Sequence, residues 1–186
     1  MLWVVLGIVV LLLLWLVVAY NRLVALRQAT GQAWSDVDVQ LKQRHDLVPN
    51  LVETVKGYAA HERGTLDAVV QARNAAAAAH GPEAQAAAEG QLGAALGRLF
   101  ALAEAYPALK ANQNFLQLQG ELADIENKIA AARRFFNNAV AEYNAATQQV
   151  PGVFIAGSMG FTPRGFFEVA EAERAAIQQA PQVKFQ

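Results

Sequence analysis

The stretch Lys110–Thr147, KANQNFLQLQGELADIENKIAAARRFFNNAVAEYNAAT, decides the fold. Along it Phe115, Leu118, Leu122, Ile125, Ile129, Ala132, Phe136, Ala139 and Tyr143 recur at alternating steps of three and four. A helix turns once per ~3.6 residues, so this spacing lines a single face, whereas a strand would alternate by two. The pattern predicts one long amphipathic helix with a heptad seam of the coiled-coil kind, and such a seam needs other helices to cover it.

Those helices lie upstream. His80-Gly81-Pro82 is a turn signal, and Glu83–Tyr106 reads as a helix with Leu92, Leu96, Leu99 and Leu102 on its apolar face, ended by Pro107. From Leu23 to Ala79 another face runs through Trp34, Leu41, Val48 and Val55, flanked by Val37, Leu51, Val52 and Tyr58. Pro49 interrupts it, either as a kink or as a restart capped by Asp46; the reading taken is a kink within one helix. At ~1.5 Å per residue, residues 22–79 would extend roughly 87 Å. The expected fold is all-α: an N-terminal transmembrane helix, residues 1–21, then an elongated antiparallel bundle of about three long helices over residues 22–149, then an irregular aromatic tail.

Met1–Asn21 carries no charged side chain. A helix of that length is roughly 31 Å, the thickness of a bilayer's hydrocarbon. A cleaved signal would start basic, have a shorter apolar core and exit through small residues, so the segment is read as a retained anchor. Trp3 and Tyr20 sit where interfacial aromatics belong. Arg22 and Arg27 follow the span, which by the positive-inside rule puts the helical domain in the cytoplasm of a single-pass inner-membrane protein.

After Val150 the texture changes to Pro151, Gly152, Phe154, Gly157, Gly160, Phe161, Pro163, Phe166 and Phe167, with a short helix expected over Glu168–Gln179 and Phe185 near the end. Five of the nine phenylalanines lie here, and each is worth roughly 1.5–3 kcal/mol if fully buried, so the tail must dock. Folding back over its own bundle is preferred to docking on a neighbouring copy or a partner protein. Phe154, Phe161, Phe166, Phe167 and Phe185 are the assembly or docking residues.

Acidic and basic residues nearly balance at a net charge of -1 and interleave along the chain, which leaves no footprint for nucleic acid. No cysteine is present, so disulfides, thiolate metal sites and cysteine nucleophiles are excluded. His61-Glu62 suggests a zincin clamp, but Thr65 stands where its second histidine belongs. His45, His61 and His80 are too far apart to converge locally and read as surface or helix-end residues. Asp36 and Asp38, two apart on a helix, point about 200° from one another. No catalytic, cofactor or metal site is expected. Two polar stripes remain: Asp46, Asn50 and Glu53 on the first helix, and Glu126, Arg133, Asn137 and Asn144 on the last. They are read as a structural network in which Arg133 pairs with Asp46 or Glu53 and the asparagines fix register.

The chain resembles the LemA family. The residues that carry the resemblance are Tyr20-Asn21, Ala33-Trp34, the run Arg44-His45-Asp46-Leu47-Val48-Pro49-Asn50-Leu51-Val52, Val55-Lys56-Gly57-Tyr58, His61-Glu62 and Ala72-Arg73. It continues through Tyr106-Pro107-Ala108-Leu109-Lys110, Asn114-Phe115, Leu118-Gln119, Glu126-Asn127-Lys128-Ile129, Ala132-Arg133, Asn137 and Tyr143-Asn144. It implies a bacterial membrane protein with an N-terminal anchor and an antiparallel helical bundle, and brings no enzymatic activity with it. Some members carry a lipoprotein cysteine at the anchor, which this chain lacks; Phe135-Phe136 replaces a pair often seen as tyrosines. The first functional reading is a non-catalytic scaffold or adaptor on the lipid bilayer that self-associates as a homo-oligomer or recruits another membrane protein. The second is a small-molecule or peptide-binding module in an interhelical groove lined by Tyr58, Tyr106 and Tyr143. A membrane-associated hydrolase ranks last.

Overall fold

The computed structural model describes residues 1–168, so the helix expected from Glu168 and Phe185 lie outside the described residues. All-α is the class observed: α1 Leu2–Lys56, α2 Arg63–Ala78, α3 Pro82–Ala103, α4 Pro107–Lys110, α5 Gln113–Gln148 and α6 Gly152–Ala156. No strand occurs among the described residues.

The first helix differs from the expectation at both ends. It starts at Leu2, so the apolar opening and the amphipathic part form one helix, and it ends at Lys56 rather than Ala79. Pro49 lies inside it and does not end it. The break comes at Gly57, where helical hydrogen bonding gives way to tight turns: Tyr58 N–H donates to Val55 C=O and Glu62 N–H to Ala59 C=O. Glycine loses more freedom in a helix than any other residue, and Gly57 and Gly64 bracket the break. Proline, in contrast, removes only one hydrogen bond when the neighbouring turns are held by packing.

The other ends follow their signals. Gly81, at φ +86°, takes a conformation that suits glycine, and Pro82 opens α3 where a missing N–H costs nothing. Asn112 caps α5: its side-chain oxygen accepts the Phe115 N–H at 3.0 Å, while its amide nitrogen donates to the Tyr58 hydroxyl at 2.8 Å.

The chain forms two compact units. In the unit of residues 40–129 the core is built from Val48, Leu51 and Val55 of α1, Leu66 and Val69 of α2, Leu92, Leu96 and Leu99 of α3, and Phe115 and Leu122 of α5. α2 and α3, joined by a short turn, pack on each other. In the unit of residues 1–39 and 130–166, Ala33, Val37, Phe136 and Val140 are buried, and Trp34 meets the Phe136 ring at 5.2 Å. Leu23, Tyr143, Ala156 and Phe161 form a second cluster there. Among the described residues nothing covers the opening of α1: residues 1–15 are all exposed, in a stretch long and apolar enough to cross a membrane.

Candidate functional site

Arg44 and His45 stand in α1 between Leu41 and Val48, on the face that the core covers, and both are buried. The same occurs on α3, where Gln85 and Glu89 precede Leu92 at seam spacing and are buried too. Burying a charge is tolerable only with a partner, and these four residues are partners. Glu89 accepts from His45 Nε2 at 2.7 Å and from Gln85 Nε2 at 2.9 Å through one carboxylate oxygen, and its other oxygen lies 3.3 Å from Arg44 Nη1. An ionised carboxylate only accepts, so Nε2 is the protonated ring nitrogen of His45. Arg44 Nε lies 3.1 Å from a Glu126 carboxylate oxygen on α5. Arg44 Nε and Glu89 Oε2 meet these opposite charges at ion-pair distance but without hydrogen-bond alignment.

α2 joins the centre through the backbone. Because Pro49 has no N–H, the His45 carbonyl four residues earlier lacks its helical donor. Arg73 Nε fills that role from α2 at 3.1 Å. Gln85 also donates at 2.9 Å to the Ala76 carbonyl in the last turn of α2, which accepts the Ala79 N–H as well. One centre therefore ties α1, α2, α3 and α5. Its energetic character is asymmetric: the whole pair adds little net stability, while loss of one member strands a buried charge at about 3–5 kcal/mol.

The unit of residues 1–39 and 130–166 holds its tail by a different device. Asn144 exchanges two hydrogen bonds with the Arg164 backbone, donating to its C=O at 2.9 Å and accepting its N–H at 2.8 Å. Tyr143, buried, donates its hydroxyl to Thr162 C=O at 3.0 Å. Phe161 is buried between the Tyr20 ring, 5.6 Å away edge-on, and the Arg27 guanidinium, 4.9 Å from its centroid. The Arg164 guanidinium donates to the buried Thr30 hydroxyl. Gly152 makes the return possible, since a Cβ there would stand 1.9 Å from the Ala146 carbonyl oxygen.

Of the residues expected to form a polar network, Asp46, Asn50, Glu53 and Glu126 belong to the unit of residues 40–129 and Arg133, Asn137 and Asn144 to the other. Asp46 and Asn50 face solvent, Glu53 is exposed and paired with Lys56 at 3.2 Å, and Glu126 meets Arg44. Arg133 and Asn137 are half-buried, and Asn144 holds the tail. The reading of His45 as a surface residue is corrected: the seam position and Glu89 bury it, while His61 and His80 are exposed as expected. Sequence reasoning missed Arg44, Gln85, Glu89 and Arg73 as one centre. The available signal was a charge at a seam position on each of two helices. Of the docking phenylalanines, Phe161 and Phe167 are buried, while Phe154 and Phe166 are exposed. Of the tyrosines, Tyr58 is exposed and Tyr143 buried, and the hydroxyls of Tyr58, Tyr106 and Tyr143 bond Asn112, Glu62 and Thr162 respectively. Among the described residues no group of three or more His, Asp or Glu gathers as metal ligands.

Comparison with known proteins matches residues 33–185 to the model of the LemA family. The magnetosome protein MamQ of Magnetospirillum gryphiswaldense is 27% identical over 178 residues, covering 82% of this chain and 65% of that protein. The magnetosome proteins MamQ 1 and MamQ 2 of Paramagnetospirillum magneticum are each 25% identical over 179 residues, covering 82% of this chain and 66% of theirs. The matched region therefore spans just under two thirds of the length of these relatives.

Proposed function

We propose, for a chain that belongs to the LemA family, a role as a membrane-anchored, non-catalytic helical scaffold that binds a second copy of itself or another membrane protein. The observation that carries this reading is the uncovered apolar opening of α1, which continues without a break into the helix bearing Arg44 and His45. A helix hydrophobic on all sides needs a non-aqueous medium, and lipid supplies it. The likeness to magnetosome proteins supports a membrane-associated place for this chain.

Phe135, a large aromatic left 62% exposed on α5, is the contact offered to such a partner. The anchor makes one pass through the inner membrane, and Arg22 and Arg27 direct the helical units to the cytoplasm. The test uses the full chain in mild detergent and in its native membrane. Light scattering is expected to give a mass of two or more copies, or cross-linking in membranes to capture another membrane protein. A monomer that cross-links to neither defeats the scaffold reading. Release of the chain from vesicles by alkaline carbonate defeats the anchor. Labelling of Gln117→Cys by an impermeant maleimide in intact cells defeats the orientation.

A further inference from the structure

We infer that the α5–α6 turn and α6, residues 150–159, form a second membrane contact that dips into the lipid interface beside the exit of α1. The inference rests on the anchor reading and adds to it a second, non-spanning element. Its ground is an apolar surface in an unusual place. Between Glu142 and Arg164 the chain carries no charged side chain. Phe154 is 70% exposed, Val150 64%, Met159 57% and Val153 48%. Single exposed apolar residues are ordinary on a soluble surface, but four within ten residues and no charge among them are not.

Placement identifies what covers them. α6 sets Gly152 and Ala156 inward, with Gly152 close against Leu23 of α1, and turns Val153 and Phe154 outward. A cleft lined by Val18, Ala19, Arg22 and Leu23 on one side and by Ala146 and Pro151 on the other joins the two segments. Residues 18 to 22 cover about 6 Å of helix axis. α6 therefore sits at the level where α1 passes from uncharged residues to its first arginine. An apolar, uncharged turn at that height meets the boundary of headgroups and acyl chains, where interfacial segments bury about 5–10 Å deep. Arg22, exposed at the same level, suits the lipid phosphates.

The chain has no cysteine, so single cysteines report without background. Full-length Phe154→Cys, Val153→Cys, Val10→Cys and Gln117→Cys would carry an environment-sensitive fluorophore. Each would be reconstituted into phosphatidylcholine and phosphatidylglycerol vesicles containing lipids brominated either near the headgroup or near the bilayer centre. Roughly twofold quenching of the labels at 153 and 154 by the shallow bromines is expected, with Val10→Cys quenched by the deep ones and Gln117→Cys by neither. Unquenched labels at 153 and 154 beside a quenched Val10→Cys overturn the interfacial contact and leave the anchor standing. An unquenched Val10→Cys overturns the anchor and this inference with it. Labels at 153 and 154 that are unquenched yet blue-shifted, and lose the shift when the protein is diluted in lipid, assign the surface to a second copy and overturn the lipid contact.

Discussion

The two ends of α1 invert each other. Residues 2–15 of it are apolar and exposed, whereas Arg44 and His45, some thirty residues later in the same helix, are charged or polar and buried. Neither state suits water. The apolar end needs a medium that the described residues do not provide, and the polar end needs partners that they do provide, on α2, α3 and α5. The contrast shows that hydrophobicity in this helix does not report burial; it reports which kind of solvent each part meets.

The inversion is broken most severely from its polar end. Glu89→Ala removes the acceptor of His45 and Gln85 and the ionic partner of Arg44. The expected loss is about 3–5 kcal/mol, read from denaturant unfolding followed by circular dichroism in mild detergent. A loss under about 1 kcal/mol would mean that water reaches the guanidinium and that the centre is not sealed. From the apolar end, Leu11→Arg should oppose membrane insertion by about 2.5–3.5 kcal/mol, visible as a shift from the carbonate-resistant to the released fraction. Gln32→Arg, at an exposed polar position of the same helix, should shift nothing. Equal behaviour of the two arginines would remove the distinction between the ends.

How much of this could be read from sequence depends on which rule governs each part. The helices were legible because Phe115, Leu122, Ile129 and Phe136 keep the helical spacing on α5, and because Gly81-Pro82 is itself a turn. The end of α1 is expected at Ala79 because apolar residues resume past Gly57 at Leu66 and Val69, while Gly57, the real break, looks like an ordinary residue until packing decides. The ionic centre was concealed for a different reason. A charge at seam spacing is worth burying only if a partner arrives from another helix, and the pairing of position 44 with position 89 is a tertiary fact. The asparagine device is likewise unreadable, since an amide that holds backbone is no different in sequence from one that faces solvent. Asn144→Ala should release the tail: two hydrogen bonds to residue 164 are lost, about 1–3 kcal/mol of local opening. Tryptic cleavage after Arg164 should quicken accordingly, and an unchanged rate would assign the hold to Phe161 alone.

The smallest expected effect bears most directly on why a proline sits in α1. If the missing N–H of Pro49 is what hands the His45 carbonyl to Arg73, the two residues are energetically coupled although they do not share a hydrogen bond. Arg73→Met should destabilise the wild-type chain by about 1–3 kcal/mol, because the carbonyl then has neither a helical donor nor a guanidinium. In a Pro49→Ala background the new N–H of residue 49 can take that carbonyl, so the same Arg73→Met change should cost about 1 kcal/mol less. A double-mutant cycle by denaturant unfolding measures the difference. Full additivity would mean that Arg73 contributes through packing of its stem, and that Pro49 is merely tolerated in the helix rather than used to seat α2.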